Sequence, residues 1–418
     1  MRPDRRVMIT GMGIICSVGA DIAAFGESLA AMRSGFAPYD SPFLAAAATV
    51  RDFDFRSMPM PETISPEIKS QAVRLTRRSG VPIQTTVAAA LQAWDQAKLQ
   101  DTDGEQTAIL TAGSNLFQGS LFEIYRKAAE KPEFVSPSYA VQQFDTNING
   151  ILSELFGIHG EGMSIGGASA SGNVCLVQGM RLIRSGAAEV CMCVAPMYDF
   201  SPAELSAFSN LQAIGDYSKQ KPEEACRPFD RGHHGMVPGQ ASVCLVLEAG
   251  EHARARGQET LAELAGGALV LDGNHLPDAN AEGEARAMRK AMEDAKITPD
   301  EVDYINAHAT STPGGDTAEA EAILRIAGEH RNRIWVNSTK SLIGHCMFSA
   351  GMAEAAAVVC QIRGGYIHGT RNLTDPITDQ LRFAQTTEQG QKIRCALSNS
   401  FGFGGINASI VIRNTETP

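Results

Sequence analysis

Residues 344–367 read GHCMFSAGMAEAAAVVCQIRGGYI, and residues 172–190 read GNVCLVQGMRLIRSGAAEV. Both run from small residues through an apolar helical pattern to Ile-Arg and glycine. This echo indicates a duplicated fold in which each half carries one loop at the N-terminus of a buried helix. Two Ala-rich buried helices can also match by chance, so the rest of the chain has to decide.

Outside these two stretches, short apolar runs alternate with helical patterns. RVMIT (6–10), TAILT (107–111) and VCMCV (190–194) have the composition of buried strands. TTVAAALQAWDQA (85–97) and EGEARAMRKAMEDA (282–295) have the periodicity of helices. The alternation predicts an α/β fold.

Composition excludes several classes of protein. The chain has 418 residues, of which 44% are hydrophobic and 20% charged, as in ordinary globular proteins. A formal net charge of -11 argues against nucleic acid or an anionic membrane as a partner. No apolar run reaches the roughly 18 residues of a membrane span, and the N-terminal residues lack a signal-peptide pattern. The nine scattered cysteines suit a reducing compartment, so we expect a cytoplasmic protein.

No metal site is expected. Cys191 and Cys193 alternate along a predicted buried strand, and we expect their side chains to face opposite sides of the sheet. His233 and His234 lie in a polar loop, where we expect surface residues that bind no ligand.

Five motifs follow one another in a fixed order. They are SIGGASASGN (164–173), RPFDRGHHGMVPGQASVCLVLE (227–248), NAHATSTPGGDTAEAEA (306–322), NSTKSLIGHCMFSAGMAEA (337–355) and NSFGFGGINASIVI (399–412). Together they resemble the β-ketoacyl-acyl-carrier-protein synthase family, and the resemblance extends over essentially the whole chain from VMITGMG onward.

The resemblance implies a thiolase-like duplicated α/β fold with five layers, αβαβα. It implies an N-terminal half at residues 1–250 and a C-terminal half at residues 251–418. It also implies a homodimer whose substrate is a malonyl thioester carried on the phosphopantetheine of an acyl carrier protein, with no further cofactor.

Two histidines stand at sites suited to catalysis. His308 follows the apolar run VDYI, so it should emerge from the end of a strand into a loop of small hydroxyl residues. His345 lies just before the Ala-rich helix. The resemblance implies that both hold the thioester carbonyl oxygen, with Lys340 and Glu354 in support. Donors at that oxygen stabilise the enolate that forms when a malonyl group loses carbon dioxide.

Ser169 departs from the family pattern. Condensing relatives have a cysteine in a T-A-C-x-S type motif, whereas this chain reads G167-A168-S169-A170-S171. A helix N-terminus can lower the pKa of a cysteine to useful values but not that of an unassisted alcohol. Ser169 can be a nucleophile if a base lies beside it. It can also simply fill the space of the cysteine.

The resemblance implies further site residues. GFGG (402–405) resembles the loop over the nucleophile, with Phe403 in the gating position, and GMVPG has Met236 where condensing relatives have phenylalanine. The expected substrate pocket and gate comprise Met236, Phe401, Phe403, Gly404, Thr310 and Thr312. Arg74, Arg77 and Arg78 resemble the basic helix that docks the carrier protein, although a solvated helix face would look the same.

Intact histidines beside a serine predict decarboxylation of malonyl-carrier protein to acetyl-carrier protein. Proteins of this kind resemble the decarboxylases of polyketide β-branching cassettes. The alternatives are a serine-dependent acyltransferase, a condensing synthase, and a non-catalytic chain-length-factor partner, which would be expected to have lost the histidines as well.

Overall fold

The computed structural model describes residues 5–415. The strands in this range are β1 (Val7–Cys16), β2 (Ala37–Ser41), β3 (Leu44–Ala47), β4 (Thr107–Ala112), β5 (Gly162–Ile165), β6 (Val190–Ala195), β7 (Ala241–Ala249), β8 (Ala262–Leu271), β9 (Tyr304–Asn306), β10 (Trp335–Asn337), β11 (Tyr366–Ile367), β12 (Arg382–Phe383), β13 (Glu388–Gln389), β14 (Cys395–Gly402) and β15 (Ile406–Arg413). The α-helices are α1 (Ile22–Ala30), α2 (Pro66–Thr76), α3 (Val81–Gln96), α4 (Gln118–Glu130), α5 (Tyr139–Gln142), α6 (Thr146–Phe156), α7 (Ser171–Ser185), α8 (Pro202–Asn210), α9 (Pro222–Ala225), α10 (Gly250–Ala255), α11 (Ala281–Ala295), α12 (Pro313–Ala327), α13 (Lys340–Ile343) and α14 (Ala350–Gly364).

The main sheet consists of two equivalent halves. Its strand order is β12-β10-β9-β14-β15-β8-β1-β7-β6-β4-β5. In the first half β4 is parallel to β5 and β6, and β7 is antiparallel to β6 and β1. In the second half β9 is parallel to β10 and β14, and β15 is antiparallel to β14 and β8. The same pattern in the same chain order confirms the predicted duplication.

The helices form three layers around the two half-sheets. The central pair, α7 and α14, pack on each other, and each contacts strands of both halves. On the outer faces, α3 and α6 cover the first half and α11 covers the second, with α12 packed on α11. This is the expected five-layered αβαβα arrangement. The half-sheets are joined by a short ladder between β1 and β8, which pairs Met8 with Glu263 and Ile9 with Ala262.

The two central helices begin and end in the same way. Each spans 15 residues and ends at a glycine in the left-handed conformation, Gly186 with φ 83° and Gly365 with φ 64°. Each follows a 3-10 turn, at Ala168–Ala170 before α7 and at Met347–Ser349 before α14. The first residue of each turn has positive φ, 47° at Ala168 and 53° at Met347. The second residue of each turn is therefore structurally equivalent, which relates Ser169 to Phe348.

The cysteine prediction needs correction. All nine cysteines lie within residues 5–415, and all are free. The expectation that Cys191 and Cys193 face opposite sides of the sheet is wrong, because residues two apart in a strand share a face. Their Sγ atoms lie 3.9 Å apart in the core.

The crossing of α7 and α14 requires glycine. A Cβ atom at Gly172 would lie 2.5 Å from the backbone nitrogen of Met352 in α14, and one at Gly351 would lie 3.0 Å from the backbone nitrogen of Asn173 in α7. The backbone of α14 cannot move aside without shifting the turn that precedes it. The two helices therefore approach closely because both glycines are there.

We expect Gly172→Ala to lower the free energy of unfolding by about 1–3 kcal/mol through overpacking. Gly150→Ala is the matched control, because Gly150 lies in α6 and an added methyl group there would have no atom within 4 Å. That change should stabilise the protein by about 0.5–1 kcal/mol. Urea denaturation followed by circular dichroism measures both, and equal effects of the two variants would contradict the close crossing.

Candidate active site

Ser169 lies in the turn that starts α7, as the sequence predicted for the residue in the nucleophile position. Its Oγ is 2.9 Å from Nε2 of His345, which belongs to the second half of the fold. The backbone of Gly402 covers the turn, because a Cβ atom there would lie 2.8 Å from the carbonyl oxygen of Gly167 and 3.2 Å from the amide nitrogen of Ser169. The end of β14 thus packs directly on the turn that carries the serine.

The tautomer of His345 follows from its backbone contact. The amide N–H of Met347 donates to Nδ1 of His345 at 3.2 Å. An amide N–H can only donate, so Nδ1 carries no proton and the neutral ring has its proton on Nε2. Nε2–H then donates to Oγ of Ser169. The imidazole is a hydrogen-bond donor to the cavity.

His308 is held in the same tautomer by different groups. It follows β9, as predicted, and its backbone N–H donates to Oε1 of Glu319 at 2.9 Å. Nζ of Lys340 lies 3.3 Å from Nδ1 of His308 and also forms a buried ion pair with Glu354. An ammonium has donors only, so Nδ1 accepts and Nε2 carries the proton. Lys340 thus contacts His308 on one side and Glu354 on the other.

Both imidazoles are neutral. Burial holds the pKa of His308 well below its ordinary value, and the charge of Lys340 and the neighbouring His345 lower it further. Burial and then Lys340 lower the pKa of His345 in the same way. The rings are 5.5 Å apart and nearly perpendicular, at 86°. Two neutral N–H donors can therefore bind an oxygen on which negative charge develops.

A cavity of about 580 Å³ contains this site. Its wall includes Ser169, His308, His345 and five of the six residues expected in the pocket, namely Met236, Phe401, Phe403, Thr310 and Thr312. Gly404 lies in the turn between β14 and β15 with φ 87° and is not part of the wall. Phe401 is buried with its ring 5.7 Å from that of His308, whereas Phe403 is 44% exposed at the rim.

Two acidic residues of the site were not predicted. Glu319, on α12, accepts the backbone N–H groups of His308 and Ala309, so it fixes the loop that carries the histidine. Glu284, on α11, is buried in the cavity wall, and its Oε2 has no hydrogen-bond partner. Burial and the nearby carboxylates of Glu319 and Asp272 raise the pKa of Glu284 well above its usual value, which favours its protonated form.

Two other predictions concern residues outside the cavity. His233 is not a surface residue, because its side chain is only 7% exposed and its Nδ1 lies 2.9 Å from Oδ2 of Asp316. The hydrogen bond to the buried Asp316 holds His233 in the loop before Met236. Arg74, Arg77 and Arg78 lie exposed at the end of α2, where Arg74 pairs with Glu154 at 3.0 Å.

Comparisons with known proteins identify the family. A model of the β-ketoacyl synthase N-terminal domain matches residues 4–253, and a model of the C-terminal domain matches residues 261–374. The chain belongs to the β-ketoacyl synthase family. Ser169 therefore marks a departure from the cysteine that the resemblance leads us to expect in condensing members.

Two relatives that the chain matches carry different names, one that of a decarboxylase and the other that of a synthase. The chain is 33% identical to the polyketide biosynthesis malonyl-ACP decarboxylase PksF of Bacillus subtilis, over 98% of this chain and 97% of that protein. It is 32% identical to 3-oxoacyl-[acyl-carrier-protein] synthase 2 of Coxiella burnetii, over 98% of each chain. Similarity in sequence alone does not separate the two.

A solved structure has the same fold. A type II PKS ketosynthase in complex with its acyl-carrier protein, bound to the hexaketide, superposes with a TM-score of 0.86 at 26% identity, covering 98% of this chain and 100% of that one.

Within residues 5–415 no group of three or more histidine, cysteine or acidic side chains is arranged to hold a metal ion. No helix in that range is both long and apolar enough to cross a membrane.

Proposed function

We propose that this protein decarboxylates malonyl-acyl carrier protein to acetyl-acyl carrier protein. The observation that carries the proposal is the pair of neutral Nε2–H donors on His308 and His345 beside Ser169, which stands in the place of a thiol. The donors suit an enolate oxygen, while the serine is a poor site for storing an acyl group.

The reaction breaks the bond between the malonyl carboxylate and the α-carbon. Carbon dioxide leaves, and the electron pair passes from the α-carbon to the thioester carbonyl oxygen. His308 and His345 donate to that oxygen, and the positive charge of Lys340 behind His308 favours the developing anion. A proton from water then adds to the α-carbon and gives the acetyl thioester. The substrate's phosphopantetheine is the only carrier that the proposed reaction uses.

Condensation is disfavoured by the residue at position 169. A condensing enzyme holds its acyl primer on a thiolate, and a thiol ionises far more readily than an alcohol. Acyl transfer through a serine ester needs a base that takes the hydroxyl proton. His345 is the nearest imidazole, but its Nε2 already carries a proton because Met347 occupies Nδ1. The retained histidines also argue against a non-catalytic chain-length-factor role.

The product suggests a place in a reaction sequence. Acetyl-carrier protein is a donor of two-carbon units, and we propose that this protein supplies it to the β-branching step of polyketide biosynthesis. There, a hydroxymethylglutaryl-synthase-like enzyme would add the acetyl group to a β-keto group. The name of the B. subtilis relative supports a role in polyketide biosynthesis.

Removal of either histidine should stop most of the reaction. We expect His308→Ala and His345→Ala each to lower the rate of acetyl-carrier protein formation by roughly 10²–10³-fold, since each removes one oxyanion donor. Mass spectrometry of the carrier protein measures the rate, and circular dichroism confirms folding. His159→Ala, at an exposed position, is the control. Near-normal turnover by either variant would show that the roles are assigned wrongly.

Changes at Ser169 separate the candidate activities. We expect Ser169→Ala to retain substantial decarboxylation, because the hydroxyl only accepts a hydrogen bond from His345. Ser169→Cys should gain covalent acylation, because it restores a thiol at the start of a helix. Intact-protein mass spectrometry detects both. If the unmodified protein accumulates an acyl adduct on Ser169, or yields a β-keto product with an acyl primer, it is an acyltransferase or a condensing enzyme instead.

We propose that the carrier protein docks on the cluster of Arg74, Arg77 and Arg78. Reversal of all three to glutamate should raise the apparent KM for malonyl-carrier protein and weaken its dependence on salt, since steering acts through screened charge. Reversal of three exposed lysines, Lys127, Lys131 and Lys290, changes the net charge equally and serves as the control. Unchanged kinetics across a salt series would make the arginines an ordinary solvated face.

We propose a homodimer as the form of the protein in solution. In the described part of the chain, β5 ends the main sheet, and its Met163 is 42% exposed. A terminal strand offers unpaired backbone groups to a second copy. Light scattering that gives the mass of one chain would contradict this assembly.

A further inference from the structure

The cavity has an exposed rim and a buried aromatic end. At the rim, Leu211 and Leu276 are each 48% exposed. At the buried end, the rings of Phe348 and Tyr198 meet edge to face at 5.9 Å and 80°, with exposures of 8% and 4%. We call this pair of rings the aromatic wall.

One ring of the aromatic wall belongs to a turn that packs next to Ser169. The turn Met347–Ser349, which carries Phe348, packs against the turn Ala168–Ala170. Phe348 is also the structural equivalent of Ser169 in the second half of the fold. The two halves of the fold are related by pseudo-symmetry. The second half therefore has a large ring, Phe348, at the position that Ser169 occupies in the first half.

The ring of Phe348 packs tightly against neighbouring backbone. A Cβ atom at Gly113, just after β4, would lie 2.9 Å from Cγ of Phe348, so the ring packs against the backbone there. Tyr198 is fixed as well, because its hydroxyl donates to Oε2 of Glu204 at 2.9 Å. An alkyl chain that extended from Ser169 toward Phe348 would therefore have to displace the ring of Phe348.

We propose that Phe348 is a specificity-determining residue that restricts the acyl group beside Ser169 to about the length of malonyl. The substrate class is then a short acyl thioester, and medium and long acyl chains are excluded by the aromatic wall. The proposal rests on the proposed function for the identity of the short acyl group. The exclusion itself depends only on the packing of Phe348.

Binding of substrate analogues tests the exclusion without any turnover. The probes are acetyl-pantetheine and octanoyl-pantetheine with the thioester sulfur replaced by NH, measured by calorimetry. In an open pocket, burial of the additional methylenes would make the octanoyl analogue bind at least about tenfold more tightly than the acetyl analogue. We expect the unmodified protein to bind the octanoyl analogue no more tightly than the acetyl analogue. Phe348→Ala should tighten octanoyl binding by at least about tenfold and leave acetyl binding nearly unchanged.

Phe36→Ala is the matched control, because Phe36 has the same 8% exposure and lies in a separate apolar cluster outside the cavity wall. It should not change octanoyl binding. If Phe348→Ala does not fold, Phe348→Leu provides a smaller opening with the same direction of effect. Tight octanoyl binding by the unmodified protein, or unchanged binding in a folded Phe348 variant, would overturn the proposal. Failure of the unmodified protein to decarboxylate malonyl-carrier protein would instead refute the proposed function and leave these binding results intact.

Discussion

The close crossing of α7 and α14 is the constraint on which the site depends. Gly172 and Gly351 let the two backbones approach to a distance that no side chain could occupy. The turns that precede the helices consequently meet, and the hydroxyl of Ser169 comes within 2.9 Å of an imidazole that lies 176 residues further along the chain. Neither half of the fold contains the site by itself. It exists only where the two halves touch.

At this contact between the two halves, hydrogen-bond donors to Nδ1 fix the tautomer of both histidines. A backbone N–H occupies Nδ1 of His345, and the side chain of Lys340 occupies Nδ1 of His308. Because both rings are buried close to a positive charge, gaining a proton is unfavourable for either. The site is thus set up to stabilise an anion on a bound molecule without first changing its own charge.

Much of this arrangement could be predicted from the sequence, and the reasons for the failures are physical. The α/β alternation and the position of His308 after a strand follow from periodicity and local composition, whereas the position of Ser169 was implied by the resemblance to the synthase family. Glu319 and Glu284 were not predicted, because each reaches the site through a contact between separate elements. A sequence pattern does not show such contacts. The error on Cys191 and Cys193 was one of strand geometry, and His233 was misplaced because a polar loop can fold over a buried aspartate.

The equivalence of Ser169 and Phe348 has a consequence for how such a site can diversify. If two identical halves formed a symmetric pair, any change at this position would appear on both sides of the cavity at once. Joining the halves in one chain removes that coupling. In one half, the residue at this position can then change the reactivity of the site. In the other half, the equivalent residue can change the shape of the cavity.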